Sequence, residues 1–111
     1  MKEITIQHEI QIAVSNLGAR VFRNQNGRYK VGDRWISSGL CVGASDLIGW
    51  SMSGRFLAIE VKRPDGGRVT TEQANFLRVV NEAGGIGYVA TDAMEAAAEL
   101  LRRDCEEPKG M

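Results

Sequence analysis

Residues 46–62 carry two short apolar segments on either side of Ser53-Gly54, a pair typical of tight turns. The segments, 46–52 and 55–62, are therefore predicted to be antiparallel strands joined in a hairpin. Pairing around the turn brings Asp46 and Glu60 close together, although fourteen positions separate them in the sequence. This hairpin constrains the fold more than any other feature, because it sets the pairing of two strands and the separation of two carboxylates.

Side chains alternate along the second strand and divide it into two faces. We expect one face, with Leu57, Ile59 and Val61, to lie in the core. The other face carries Glu60 and Lys62, which we expect to point toward a cleft.

A pair of carboxylates beside a lysine has a definite chemical use. Mg²⁺ takes oxygen ligands, often one or two carboxylates completed by water and substrate phosphate. Asp46 and Glu60 fit this need, with the Val61 carbonyl as a third oxygen and Glu9 as a further ligand through a water molecule. Lys62 can orient or deprotonate an attacking water, or stabilise developing negative charge. The set predicts metal-dependent cleavage of nucleic acid.

A plainer interpretation stays open for the same residues. Glu60 and Lys62 form a solvated ion pair in that interpretation, and Asp46 caps the loop before its strand. The small residues at 43–45 favour the catalytic interpretation, because they let a phosphate approach the backbone. The basic, glycine-rich segment after Lys62 favours it too.

Gln73 also has two interpretations. It lies three residues after Thr70, so the pair is predicted to form a capping box at a helix start. It is also a candidate catalytic residue near the attacking water. Trp35 and Trp50 are candidates for base stacking or, more simply, for the core or a dimer surface.

The remaining segments complete an α/β pattern. Thr5 is the predicted N-cap of the first helix, and Gln25-Asn26-Gly27 is a predicted turn. The predicted elements are helix 5–17, strands 19–24, 29–31 and 34–36, loop 37–45, the hairpin, helix 70–81, strand 86–90 and a last helix to about residue 103. Together they predict a sandwich with a central mixed β-sheet flanked by helices.

Length and composition narrow the class of protein. The 111 residues suit one compact domain, expected to span 1–111, and 43% hydrophobic content suits a soluble protein. No apolar run approaches the roughly 18 residues of a membrane span, and no signal-peptide core is present, so we expect a cytoplasmic location. Cys41, Cys105 and His8 are too few for a Cys/His zinc site within one chain.

Charge is unevenly distributed although the formal net charge is zero. Residues 20–68 contain nine basic and four acidic residues, a net of +5, and the rest of the chain carries −5. A basic middle is typical of a surface that faces phosphates, although ordinary solvated charge would also explain it. The candidates for contact with DNA are Arg23, Arg28, Lys30, Ser45, Arg63 and Arg68.

Three stretches of the chain resemble a known family: 43–49 (GASDLIG), 57–64 (LAIEVKRP) and 70–77 (TTEQANFL). They are similar to the virus-type replication-repair nuclease (VRR-NUC) domain, a branch of the PD-(D/E)xK nuclease superfamily. The resemblance runs from Glu9 to about Ala98. One departure is Ser45, which stands where the superfamily nominally has proline and which this branch tolerates.

The resemblance implies a restriction-endonuclease-like α/β core and dependence on Mg²⁺ or Mn²⁺. It implies metal ligation by Asp46, Glu60 and the Val61 carbonyl, with Lys62 as the catalytic lysine. Gln73 matches the family's helix glutamine, and Glu9 matches the acidic residue of its first helix.

Small stand-alone members are similar to Holliday-junction resolvases and act as homodimers. The resemblance therefore implies a homodimeric DNA endonuclease selective for branched DNA, and it suggests a phage or prophage origin and a bacterial cytoplasm. Two alternatives remain open: a nucleic-acid-binding module without catalysis, and a monomeric nicking or flap nuclease.

Overall fold

The computed structural model describes residues 2–25 and 27–107 of the chain. Its elements are α1 (Glu3–Ser15), β1 (Arg20–Arg23), β2 (Gly27–Val31), β3 (Arg34–Ser38), β4 (Leu47–Trp50), β5 (Phe56–Val61), α2 (Thr71–Glu82), β6 (Ile86–Ala90) and α3 (Ala93–Asp104). Each predicted helix and strand is present, with bounds that differ by at most two residues. The predicted turn at Asn26 lies outside the described residues.

A mixed sheet with the strand order β1-β4-β5-β6 forms the centre of the fold. β1, β4 and β5 are antiparallel, and β6 runs parallel to β5 after the crossover through α2. α1 and α3 pack on one face of the sheet and α2 packs on the other. This arrangement confirms the predicted α/β class with a mixed central sheet. In the described part of the chain, no helix has the length and apolar character needed to cross a membrane.

β5 is the central strand, and helices cover both of its faces. Leu57, Ile59 and Val61 are fully buried in the core under α1 and α3, as predicted. The prediction for the other face was wrong in one respect. Glu60 does not line an open cleft; it is only 1% exposed, because it shares a face with Ala58 that α2 covers.

The starts of α1 and α2 differ in how well the sequence predicts them. At α2 the capping box is confirmed, since Thr70 Oγ1 accepts from the Gln73 N–H and Gln73 Oε1 accepts from the Thr70 N–H. At α1 the predicted cap was wrong. The N–H of Thr5 donates to the Lys2 carbonyl, so Thr5 already lies in the first turn of a helix that begins at Glu3.

Arg55 connects three elements at the end of the sheet remote from Asp46 and Glu60. Its guanidinium donates to the carbonyls of Gly84 and Gly85 after α2, and to those of Arg103 and Glu106 at the end of α3. Each of these carbonyls lies near a helix C-terminus, where backbone acceptors lack intrahelical partners. The turn before β5 is thereby fixed against both helix ends.

We expect Arg55→Ala to lower the free energy of unfolding by about 2–4 kcal/mol, because four carbonyl acceptors lose a charged donor. Urea unfolding measures this. The matched control is Arg78→Ala, which removes an exposed ion pair with Glu82 and an exposed hydrogen bond to Asn75 and should change stability by at most about 1 kcal/mol. Equal effects of the two substitutions would contradict this role for Arg55.

Candidate active site

Asp46 lies directly before β4, at the end where β4 and β5 both reach the edge of the sheet. Leu47 pairs with Ile59, so the next position of the register places Asp46 opposite Glu60, as the hairpin prediction required. Asp46 Oδ2 accepts a hydrogen bond of 2.8 Å from the backbone N–H of Val61. The Asp46 carboxylate thus adds one more hydrogen bond to the pairing of β4 with β5, and a side-chain oxygen takes the place of a backbone carbonyl.

The backbone carbonyl of Val61 faces the same side as this hydrogen bond. In an antiparallel pair, a residue that directs its N–H toward the neighbouring strand directs its C=O there too. Because the Val61 N–H points to Asp46, its carbonyl oxygen also points to the side of β5 on which Asp46 lies.

Glu60 is a buried carboxylate with only one of its oxygens paired. Oε2 lies 3.0 Å from Lys62 Nζ, and both side chains are largely buried. Oε1 has no hydrogen-bond partner among residues 2–25 and 27–107. Burial raises the pKa of Glu60 to about 7; the hydrogen bond with Lys62 opposes this rise, and the neighbouring Asp46 carboxyl adds to it. The site therefore has an excess of negative charge when both carboxyls are ionised.

These oxygens fit a divalent metal ion. Mg²⁺ and Mn²⁺ prefer oxygen ligands, and the orphaned Glu60 Oε1, the Asp46 carboxylate and the Val61 carbonyl are of that kind. Within the described residues, no further His, Cys, Asp or Glu joins the two carboxylates in a cluster of three. Such a set leaves coordination positions for water and for substrate phosphate.

A cavity of about 580 Å³ opens beside Asp46. Gln73 lines it together with Asp46, and the capping box occupies only its Oε1, so its role near the attacking water stays a prediction. Gln7 lines it as well, is largely buried, and accepts a hydrogen bond from Arg23 Nε. The sequence interpretation missed Gln7. Its signal was weak: a polar residue between Ile6 and Ile10 of the buried helix face.

Asn24 is a second residue that the sequence interpretation missed. Its N–H donates to the Asp46 carbonyl at 2.8 Å, and its side chain joins the Ser45 carbonyl and the Leu40 N–H. Asn24 thereby fixes the loop 39–46 from the end of β1. In the sequence Asn24 stands just before the turn pattern Gln25-Asn26-Gly27, and that pattern gives no indication of a contact with the loop.

Ser45 does not belong to a DNA-facing surface, so that prediction was wrong. The residue is fully buried, and its Oγ has no hydrogen-bond partner in the described part of the chain. The physical reason lies in the packing of loop 39–46 against α2. A Cβ atom at Gly43 would stand 2.6 Å from the backbone of Glu72, so the loop approaches α2 closely. This close packing buries the last residues of the loop, Ser45 among them.

Glu9 lies apart from Asp46 and its cavity. It is exposed on α1 and lines a separate cavity with Pro64, Asp65 and Asp92. The structure thus places Gln7, rather than Glu9, in the cavity that Asp46 lines. A contact of Glu9 to the site through water remains a prediction.

The other candidates for DNA contact are all exposed basic residues. Arg23 lines the cavity beside Asp46, and Arg63 and Arg68 lie on the loop between Lys62 and α2. Arg63 is half-exposed and 3.8 Å from Asp65. Arg28 and Lys30 are on β2, which is exposed along its whole length.

Comparison with known protein families gives a match to the VRR-NUC domain over residues 15–93, which is most of the chain and includes Asp46, Glu60, Lys62 and Gln73. A comparison with curated proteins gave no match.

In metal-free solution we expect Glu60→Gln to raise the free energy of unfolding at about pH 8 by about 1–3 kcal/mol. The pKa of Glu60 is about 7 in the folded protein and 4.5 ordinarily, so between these pH values the folded state holds a proton that the unfolded state has lost. The free energy of unfolding of the unchanged protein therefore falls as the pH rises from 4.5 through 7. The gain should vanish near pH 4.5, where Glu60 is largely protonated in the folded state.

Urea unfolding in EDTA at the two pH values measures this difference. Glu107→Gln, at an exposed carboxylate near the chain end, serves as the control. If Glu60→Gln were less stable than the unchanged protein at about pH 8, the carboxylate would not be under the inferred electrostatic strain.

Proposed function

This chain belongs to the VRR-NUC family of nucleases, and on that premise we propose that it is a metal-dependent DNA endonuclease whose active site is formed by Asp46, Glu60 and Lys62. One observation carries the proposal. Glu60 is 1% exposed, its Oε1 has no hydrogen-bond partner within residues 2–25 and 27–107, and a second carboxylate lies beside it. Because Lys62 offsets only one of the two negative charges, this arrangement costs stability that a divalent cation would restore.

The proposed metal ligands are Asp46, Glu60 and the Val61 carbonyl, holding Mg²⁺ or Mn²⁺. When bound, such a cation neutralises charge on the phosphate and lowers the pKa of a coordinated water. The hydrogen bond from Val61 holds the Asp46 carboxylate in place, and the burial of Glu60 prevents its side chain from turning away. Both carboxylates are therefore preorganised.

Lys62 is the proposed catalytic lysine. Its ammonium group lies 3.0 Å from Glu60 Oε2, so it is positioned by the carboxylate and has further N–H donors for a water or a phosphate oxygen. Those donors can hold the attacking water and stabilise the negative charge that develops on the phosphoryl oxygens. Gln73, Gln7 and Arg23 line the adjoining cavity and are proposed to contact the substrate there.

We propose branched DNA as the substrate and a homodimer as the active form, in the cytoplasm. A surface suitable for a second copy exists on the uncovered part of the sheet. Phe22 and Trp50 lie there with ring centroids 5.8 Å apart, and Phe56 pairs with Trp50 in the register. All three aromatic residues are about half exposed, which is unusual for a sheet face without a partner.

We expect the unchanged protein to cut an end-labelled four-way junction in Mg²⁺ or Mn²⁺, and not in EDTA. Asp46→Asn, Glu60→Gln and Lys62→Ala should each lower the rate about 100-fold or more, because each removes a ligand or a charge from the site. Circular dichroism checks that each variant remains folded.

A linear duplex of matched length is the substrate control, and paired symmetric cuts in the junction alone would agree with a dimeric resolvase-like enzyme. Full activity of any one of the three variants would refute the assignment of that residue. No cutting of either DNA with either metal would favour a binding module. Light scattering separates a dimer from a monomeric nicking enzyme.

Gly67 provides a test of how Lys62 is positioned. A Cβ atom at Gly67 would stand 2.5 Å from Lys62 Cβ, whereas one at Gly66 would meet no atom of residues 2–25 and 27–107 within 4 Å. We expect Gly67→Ala to lower the cleavage rate about 10- to 100-fold, because it displaces the lysine. Gly66→Ala is the matched control and should leave the rate unchanged within about twofold. Equal rates for the two variants would show that the loop does not position Lys62.

A further inference from the structure

β2 and β3 form an antiparallel ribbon, residues 27–38, that is separate from the central sheet. All ten strand residues are exposed, including the large side chains of Tyr29, Val31, Trp35 and Ile36. A two-stranded hairpin alone is at best marginally stable in water, and exposed apolar side chains are unfavourable there. The ribbon therefore has the character of a binding surface.

The strand register gives the ribbon two different faces. Arg28 pairs with Ser37 and Lys30 pairs with Trp35, so one face combines two cations with an indole ring. The Arg28 guanidinium lies 5.4 Å from the Trp35 ring centroid, within the range of a cation–π interaction. The opposite face carries Tyr29, Ile36, Val31 and Arg34. We call the first one the Trp35 face.

We propose that the Trp35 face binds single-stranded DNA next to the active site. This inference rests on the proposed function and specifies its substrate: DNA with unpaired nucleotides beside the bond that is cut. Arg28 and Lys30 would neutralise phosphates, and the Trp35 ring would stack on a base.

The chemistry of this face favours an unpaired strand over a duplex. A tryptophan ring recognises the flat surface of a base, and in a duplex the neighbouring base pairs cover that surface. Arg28 and Lys30 could contact the phosphates or base edges of a duplex as well, but a duplex leaves the exposed indole without a base surface on which to stack. Trp35 is 61% exposed, so a base can reach it without rearrangement of the core.

The position of the ribbon connects this face to the catalytic residues. Tyr29 and Ser38 line the cavity that also contains Asp46 and Gln73. On the other side of the ribbon, Arg28 and Ser37 line a second cavity that reaches Gln73 and Thr70 at the start of α2. The two cavities share Ser38 and Gln73, so a strand held on the Trp35 face adjoins the cavity beside Asp46.

A fluorescence titration tests stacking directly. The chain has two tryptophans, so Trp50→Phe leaves Trp35 as the sole indole reporter. Oligothymidylate should quench its emission at low salt, and a blunt duplex of the same length should quench it much less. Equal quenching by oligothymidylate and the duplex, or no quenching by either, would overturn the proposal.

Binding measurements with two matched variants quantify the effect. In a Glu60→Gln background, which is expected to prevent cutting, Trp35→Thr should raise the Kd for oligothymidylate by about 5- to 100-fold. Val31→Thr, on the opposite face and similarly exposed, should change it by less than about twofold. Threonine keeps the strand propensity at both positions. Lys30→Ala should reduce the salt slope of binding by about 0.7.

The outcomes separate this inference from the proposed function. If the unchanged protein cuts DNA and Trp35→Thr binds and cuts as well as it does, the inference fails and the nuclease assignment stands. If nothing is cut but Trp35→Thr loses binding to oligothymidylate, the nuclease assignment fails and the surface is supported. If Trp35→Thr lowers the mass in light scattering without changing DNA binding, the face is a protein interface and the inference is overturned.

Discussion

The hydrogen bond from the Val61 N–H to the Asp46 carboxylate is the interaction on which the site depends. It ends the pairing of β4 with β5 through a side chain, so the N–H of Val61 has a partner without a further residue of β4. It also places one carboxylate beside another, because Glu60 is the preceding residue of β5. The energetic consequence is an electrostatic strain that Lys62 only partly relieves. A fold selected for stability alone would place an apolar residue at position 60.

The sequence predicts the parts of the structure that depend on local pattern. The hairpin register follows from one tight turn, and the capping box of Thr70 and Gln73 follows from residues three apart. What the sequence does not predict is set by packing between distant segments. Glu60 and Ser45 are buried because α2 and the loop 39–46 close over them, and no periodicity within either segment reports that closure.

The same distinction explains the residues that were missed. Gln7 and Asn24 act through partners sixteen or more positions away, Arg23 in one case and Ser45 and Leu40 in the other. A single sequence gives no sign of such pairs. Glu9 also fits the expected chemistry as an acid on the first helix, but the turn of the helix places it in a different cavity from Gln7, and its contact to the site through water stays a prediction. The helix phase, rather than the residue type, decides which of the two lies in the cavity.

Because both carboxylates come from one hairpin, they meet through a contact that closes a short loop. Such contacts form early in folding, before those between distant segments. We therefore expect the two like charges to meet before β1 and β6, which flank the hairpin in the finished sheet, are added. A divalent cation at the proposed site would offset the repulsion between the two carboxylates, so the ion proposed for the chemistry would also help the hairpin to form.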